Sequence, residues 1–260
     1  MSYSILVENL DGARLNAAMK WGRFPRAARY DGASVGSLSM GPNVLWLAEA
    51  LAEVMDLRAS MRVLDLGCGN ALSSVFLARE FDVKVWAVDL WVPPTENCRV
   101  IRQNGLEDEV FPLRGDARSL PFADAYFDVV FSLDAYHYFG TAVEYLGDHL
   151  LPIVKPGGQL GMISPAATAP LPQPLPAGVA SWVHRVNSVA WWREHWDRSP
   201  GVSVEMAEAL PGGREMWIRW DEAMLPGDDD DSDELDLLKS PIGEHLGFVR
   251  MTARKDHPDR

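Results

Sequence analysis

The spacing of apolar residues changes along the chain, and each change predicts an element of secondary structure. Residues 43–57 (NVLWLAEALAEVMDL) repeat apolar side chains at intervals of three and four, which predicts a helix with one apolar face. Residues 61–66 (MRVLDL) form a short apolar run that predicts a buried strand, followed by a glycine turn and a second helix over about 70–80. Residues 83–90 (VKVWAVDL) predict another buried strand because valine dominates them.

The same alternation continues to residue 164. A helix over 96–105 is predicted to end at Gly105, and a further helical patch covers 141–151. Three more strands are predicted over 109–116, 127–134 and 157–164. Strands that alternate with helices require crossover connections, which favour a mostly parallel sheet with helices on both faces. The predicted fold is therefore a doubly wound, Rossmann-like α/β domain.

Each predicted strand ends in a polar residue. These residues are Asp65, Asp89, Asp116, Asp134 and Ser164. In open α/β sheets ligands bind outside the carboxyl ends of the strands, where the strand order reverses. We therefore expect these side chains to line one edge of the sheet, at a binding site.

The pattern changes after Ser164. Residues 164–178 contain five prolines, which predict a crossover loop or a lid hinge. Residues 179–240 are rich in aromatic side chains and are predicted to shape the substrate side of the domain. The elements expected beyond the loop are helices over 179–198 and 213–225, a strand over 202–210, and a final strand over 247–254 that completes an antiparallel hairpin.

Length and composition limit the class of protein. With 260 residues, the chain is predicted to consist of an N-terminal lid or cap segment, residues 1–42, and one domain, residues 43–260. The formal net charge of -13, from 37 acidic and 24 basic residues, argues against binding to nucleic acid. Residues 226–236 hold seven of the acids and are interpreted as a solvated loop rather than a metal site. No metal site is predicted.

The two cysteines, Cys68 and Cys98, show no spacing typical of a metal site. No stretch of eighteen apolar residues is present, and the first residues lack the pattern of a signal peptide. We therefore expect a reduced, cytoplasmic protein without a membrane span.

The glycine turn distinguishes between two classes of nucleotide site. A nicotinamide-binding turn has the form G-x-G-x-x-G, and here Gly67 and Gly69 are present while Leu72 takes the third position. Asp65 precedes the turn, where a carboxylate would repel a pyrophosphate but suits a ligand with a cationic amino group. Asp89, at the end of the next strand, suits a ribose diol in either class.

These residues resemble the class I S-adenosylmethionine-dependent methyltransferases. The resemblance covers about residues 63–164 and depends on four ordered segments: VLDLGCGN with the following strand ending in VD, GDARSLPF, FDVVFSLDAYHYF and VKPGGQLGMIS. It implies S-adenosyl-L-methionine as cofactor, S-adenosyl-L-homocysteine as product, and transfer of a methyl group to an oxygen, nitrogen or carbon atom of a small molecule.

The resemblance also implies roles for individual residues. The glycine turn would approach the methionine part and the adenosine, with Asp65 near the amino group, and Asp89 would accept the ribose hydroxyls. Leu90 and Trp91 would pack against the adenine, and Asp116 with Ala117 would bind its amino group. The cofactor-binding residues expected on this basis are Asp65, Gly67, Cys68, Gly69, Asp89, Leu90, Trp91, Asp116, Ala117 and Leu133.

The candidates for catalysis follow the fourth strand, in the stretch LDAYHYF. His137 titrates near neutral pH and is the predicted general base. Asp134 is predicted to orient it or to hold a substrate amine, and Tyr136 or Tyr138 to position a hydroxyl. The alternative is that His137 only satisfies a helix end or packs under the lid.

Aromatic residues and the N-terminal segment are expected to shape the acceptor pocket. Trp192 with Trp196, and Trp217 with Trp220, lie at helical spacing, which is more typical of core than of a cofactor site. The predicted lid residues are Tyr30, Met40 and Asn43, with Tyr138 on the substrate side. Such a pocket suits an aromatic, apolar or amine acceptor.

Three other functions remain open from the sequence. A nicotinamide-dependent oxidoreductase is disfavoured by Leu72 and Asp65, and a nucleic-acid methyltransferase by the net charge. A protein that binds S-adenosylmethionine without transferring the methyl group is disfavoured by the polar stretch Asp134–Tyr138. The acceptor atom and the oligomeric state remain open.

Overall fold

The computed structural model describes residues 11–176, 179–225 and 233–257. Its strands are β1 Arg62–Leu66, β2 Lys84–Asp89, β3 Val110–Arg114, β4 Phe127–Leu133, β5 Val154–Ala167, β6 Val202–Ala209 and β7 Leu246–Lys255. Its α-helices are α1 Gly12–Met19, α2 Gly32–Leu38, α3 Val44–Ala52, α4 Leu72–Phe81, α5 Pro94–Gln103, α6 Val189–Asp197, α7 Gly213–Met224 and α8 Asp233–Lys239. Short 3-10 turns occur at Ala27–Arg29, Tyr136–Tyr138, Leu151–Ile153, Val183–Arg185 and Pro241–His245, and a π turn at Leu146–Leu150.

The seven strands form one sheet in the order β3-β2-β1-β4-β5-β7-β6. Strands β1 to β5 pair in parallel, while β7 runs antiparallel to both β5 and β6. The strand order reverses between β1 and β4, which pair directly. The predicted doubly wound sheet with an antiparallel C-terminal hairpin is thereby confirmed.

Apolar clusters cover both faces of the sheet. On one face α3 is buried along almost its whole length, and Trp46 packs edge-on against Trp21 and Trp220 at ring distances of 5.2 and 5.6 Å. On the other face Trp192 and Trp196 of α6 are fully buried beside Tyr136. The tryptophans at helical spacing are thus core residues, as predicted.

Several predicted boundaries differ from the structure. The helix predicted over 179–198 is two pieces, because Ser188 accepts a hydrogen bond from Trp191 N and begins α6 there. Strand β5 extends to Ala167, so the proline-rich segment begins as strand; Pro165 lies beyond the last pairing with β4 and pairs only with β7. The helix predicted over 43–57 ends at Ala52.

The acidic segment 226–236, predicted as a loop, includes helical residues. Residues 233–236 form the first turn of α8, where acidic side chains interact favourably with the helix dipole. The remaining acidic residues, 226–232, lie outside the described part of the chain. Within that part, no helix is both long and apolar enough to cross a lipid bilayer.

Candidate active site

A cavity of about 350 Å³ opens at the carboxyl ends of β1, β2, β3 and β4. Its wall is formed by the strand ends and by a segment before α3, residues 38–42, which we name the strap. The remaining wall residues are Val44 and residues within 66–72, 88–91, 115–118 and 133–139. The cavity therefore lies where the strand order reverses, as the sequence predicted.

The glycine turn after β1 is held in place by its neighbours. Gly67 N and Cys68 N both donate to Val88 O, at 2.8 and 3.2 Å. Gly67 has φ +80°, and a Cβ added there would overlap the Cβ of Ala135. Glycine is required at this position because it alone combines the positive φ with the close approach of the β4 segment.

Asp89 ties the end of β2 to this turn. One carboxylate oxygen accepts from Gly69 N at 2.9 Å, and the other from Trp91 N at 2.7 Å and Val92 N at 2.9 Å. The side chain is buried, with an exposed fraction of 8%. An ionised carboxylate has about four lone-pair sites, and these three bonds leave a site for a ligand in the cavity.

Seven more of the predicted cofactor residues line the same cavity. They are Gly67, Cys68, Gly69, Leu90, Trp91, Asp116 and Ala117, and Leu133 adds an eighth from the end of β4. Trp91 is exposed over 62% of its surface and meets Tyr138 edge-on, at 5.2 Å between the rings. The aromatic pair therefore stands at the mouth of the cavity.

Asp65 is the exception among the predicted cofactor residues. It lies beneath the turn and is not part of the cavity wall; one oxygen accepts from the hydroxyls of Ser73 and Ser74, both at 2.6 Å. Burial raises the pKa of Asp65 to about 6, an effect that the two serine hydroxyls oppose. Burial also raises the pKa of the Cys68 thiol, so this cysteine is held as the neutral thiol.

The predicted catalytic residues separate into two groups. Asp134 lines the cavity at the end of β4, with φ +50°, and Asp134 N donates to Ile163 O at 2.8 Å. His137 and Tyr136 are not part of the cavity wall. The Tyr136 ring is enclosed by Tyr145, Trp192 and Trp196, because the 3-10 turn points it into the core.

Burial also sets the protonation of these groups. It raises the pKa of Asp134 to about 7, with the charge of Glu234 as a smaller contribution. Burial lowers the pKa of His137 to about 4, so its imidazole is neutral at pH 7. Asp134 is thus the titratable group after β4 that both faces the cavity and changes charge near neutral pH.

The predicted lid residues are likewise divided. Met40 and Tyr138 line the cavity. Asn43 is buried and caps α3, accepting from Leu45 N and Trp46 N at 3.1 and 3.2 Å. Tyr30 lies in a separate cleft, where its hydroxyl donates to Glu80 at 3.2 Å.

The sequence analysis missed the residues that fix the strap. Asn70 Nδ2 donates to Leu38 O at 2.8 Å, and Trp220 Nε1 donates to Ser39 Oγ at 3.1 Å. Asn70 follows the glycine turn directly, so its position could have suggested a role at the cavity. The partner of Trp220 is 181 residues away in sequence, and no local pattern indicates it.

The chain is similar in sequence to known methyltransferases. Residues 63–158 match a family model described as a methyltransferase domain. The chain is 32% identical over 145 residues to the 27-O-demethylrifamycin SV methyltransferase of Amycolatopsis mediterranei (strain S699), covering 55% of this chain and 51% of that protein. It is 29% identical to methyltransferase GfsG of Streptomyces halstedii, covering 62% and 57%. The chain spans about half the length of these curated relatives.

Solved structures share the fold. The geranyl diphosphate C-methyltransferase of Streptomyces coelicolor A3(2), in complex with Mg²⁺, geranyl diphosphate and S-adenosyl-L-homocysteine, aligns with TM-score 0.66 at 15% identity, covering 95% of this chain and 90% of that one. The [4+2]-cyclase SpnF aligns with TM-score 0.67 at 21% identity, covering 81% of each chain. At these identities the likeness establishes the fold alone.

Proposed function

The chain carries a methyltransferase domain of the class I S-adenosylmethionine-dependent family, and from this premise we propose that it transfers a methyl group from S-adenosyl-L-methionine to a small-molecule acceptor. The observation that carries the proposal is the hydrogen bond from Gly69 N to Asp89. It joins the glycine turn and the acid after β2 into one unit beside the cavity. The ribose of a nucleoside bound there would contact the Asp89 carboxylate, and its amino-acid part would contact the backbone of the glycine turn.

We assign the adenosine to the β2 and β3 ends of the cavity. Asp89 accepts the ribose hydroxyls, Leu90 and Trp91 cover one face of the adenine, and Asp116 with Ala117 lies at its edge. The methionine part extends along the glycine turn toward Leu133. This arrangement directs the methyl group toward Asp134 and the strap, where the acceptor binds.

Methyl transfer needs little covalent chemistry from the protein. The acceptor atom, the methyl carbon and the sulfur must lie on one line, and the positively charged sulfur leaves as a neutral thioether. Holding the reactants in this geometry is worth up to about 7–11 kcal/mol. The strap and Tyr138, which both line the cavity, are suited to exclude water and to fix the acceptor. The acceptor is an oxygen, nitrogen or carbon nucleophile of a small molecule.

The test must distinguish methyl transfer from binding of the cofactor without transfer. SpnF is described as a cyclase and shares this fold, so the fold alone is not sufficient proof of methyl transfer. The oxidoreductase alternative is tested with the same sample, by adding NADH and NADPH in place of S-adenosyl-L-methionine.

The test uses S-adenosyl-L-methionine with a deuterated methyl group, incubated with the protein and a metabolite extract. Mass spectrometry then searches for a metabolite with the added label. Asp89→Ala should abolish the product, and Glu107→Ala is the control because this exposed acid precedes β3, at the opposite edge of the sheet. Labelled product with the parent protein and the control supports the proposal. Binding of the cofactor without any labelled product favours the non-transferring alternative, and a lack of binding contradicts the proposal.

A further inference from the structure

The acceptor end of the cavity carries one carboxylate, that of Asp134, in its wall. No hydrogen bond or ion pair to this carboxylate is found among the described residues. A Cβ added at Gly41 of the strap would lie 3.0 Å from Asp134 Oδ2, so the carboxylate faces the strap across a narrow gap. Asp134 is therefore oriented by its backbone and by packing, and its oxygens remain available to a ligand.

Two further carboxylates are linked electrostatically to Asp134: Glu234 acts on Asp134 directly, and it also acts on Asp221. Asp221 lies on α7 beside Trp220, whose indole bonds the strap, and one of its oxygens is fully enclosed with no hydrogen-bond partner in the described part of the chain. Glu234 lies in the first turn of α8, and its charge raises the pKa of both aspartates in addition to burial. No ion pair of these three side chains is found within the described ranges, and burial together with the charge of Glu234 favours the neutral form of the two aspartates.

A bound cation would favour the ionised form of these carboxylates, whereas a neutral acceptor would not. We propose that the acceptor is a basic amine, whose nitrogen binds at the carboxylate of Asp134 while Asp221 and Glu234 contribute negative charge around it. This inference rests on the proposed methyl transfer, and it names the class of acceptor for that reaction. Carboxylates that lack a cationic partner inside a cavity bind an ammonium group with a charge-assisted hydrogen bond.

Asp134 can also accept the proton that the ammonium group must lose before methyl transfer. An ammonium nitrogen has no free electron pair, so Asp134 first takes one of its protons and becomes a neutral carboxylic acid. The amine lone pair then forms the bond to the methyl carbon, and the bond between that carbon and sulfur breaks with its electron pair on sulfur. The products are the methylated ammonium and the neutral thioether, and Asp134 returns its proton to solvent.

Other groups around Asp134 are compatible with this role. Tyr138 is exposed over 57% of its surface and offers an aromatic face to a cation or to the apolar body of the amine. His137 is neutral at pH 7 because burial lowers its pKa to about 4. Arg185 is exposed, and its charge acts on Tyr138 as a minor influence on the pKa of that phenol.

The test compares amines with alcohols of the same shape. The protein is saturated with S-adenosyl-L-homocysteine, and calorimetry then measures binding of two matched pairs: 2-phenylethylamine with 2-phenylethanol, and tryptamine with tryptophol. We expect at least one amine to bind about tenfold or more tightly than its alcohol, and to acquire the label when deuterated S-adenosyl-L-methionine replaces the product. If neither amine binds more tightly than its alcohol, the amine proposal is wrong.

Substitutions of Asp221 and Glu234 test whether these acids cause the preference for the amine. Asp221→Asn and Glu234→Gln together should reduce the preference for the amine by about tenfold, since both keep the shape and remove a carboxylate whose ionised form a bound cation would favour. Glu222→Gln is the matched control, because Glu222 lies next to Asp221 but pairs with Lys239 at 2.9 Å. An unchanged preference in the double variant, or an equal loss in the control, would overturn the assignment. Titration of S-adenosyl-L-homocysteine on every sample separates this result from a failure of the proposed function.

Discussion

Gly67→Ala offers a direct test of how the glycine turn and the end of β4 fit together. Alanine at φ +80° costs about 1–2 kcal/mol, because the left-handed region brings its Cβ near the following carbonyl oxygen. The new methyl group would also overlap the Cβ of Ala135, and relieving such overpacking costs about 1–3 kcal/mol more. We therefore expect Gly67→Ala to lower the free energy of unfolding by about 2–5 kcal/mol.

Gly201 provides a matched control for the backbone cost alone. It has φ +82°, and a Cβ added there would meet no atom within 4 Å. Gly201→Ala should therefore lose only about 1–2 kcal/mol. The difference between the two variants isolates the contact with Ala135, and urea titration of each purified protein measures it.

A double-mutant cycle tests the contact itself. Ala135→Gly removes the opposing methyl group, so it should recover about 1–3 kcal/mol in the Gly67→Ala background, although it destabilises the parent protein. Calorimetric titration of S-adenosyl-L-methionine should show the same recovery in affinity. The reasoning is refuted if Gly67→Ala costs no more than Gly201→Ala, or if Ala135→Gly fails to rescue it.

Four further substitutions test other parts of the structure. Asp89→Ala removes the acceptor of three backbone N–H groups and should weaken S-adenosyl-L-methionine binding by about tenfold or more, measured by calorimetry. His137→Ala should keep turnover within about threefold, whereas loss of a general base costs about 10²–10⁴-fold in the same rate assay. Asp221→Asn should stabilise the protein at pH 8 but not at pH 4. Burial raises the pKa of Asp221 to about 8 in the folded state, so the folded state loses stability as the pH rises from 3.8 to that value. Urea titrations at both pH values measure the difference. Trp220→Phe removes the hydrogen bond to Ser39 and should cost about 1 kcal/mol in thermal unfolding, with a larger effect on acceptor KM than on kcat.

The sheet could be predicted because short apolar runs and glycine turns in the sequence mark its strands and their ends. Strand β1 is apolar and buried, and it ends in an acid and a glycine turn, so both its position and its functional end can be read locally. The order of the motifs along the chain then implies the parallel arrangement. Strand ends were predicted less well where tertiary pairing extends them, as in β5, whose last residues are stabilised by β7 rather than by their own propensity.

The sequence analysis misassigned some site residues because their side chains suit two different environments. Asn43 precedes an apolar helix, which is the usual place of an N-cap residue, and the structure uses it in that way. Tyr136 lies in a stretch with the composition of a substrate pocket, but its ring is enclosed by Trp192 and Trp196 of α6. Those tryptophans follow it by more than fifty residues, and no local pattern reveals such a contact.

The two halves of the cavity have different origins in the chain. The half that we assign to the cofactor is formed by turns directly after strands, where Gly67, Asp89 and Ala117 are placed by the sheet itself. The half that we assign to the acceptor depends on the strap, which Trp220 joins to α7 through Ser39. Trp220 is fully buried, so a core residue determines where the strap lies. Because distinct segments build the two halves, substitutions in α7 or the strap should alter the choice of acceptor while cofactor affinity remains nearly constant.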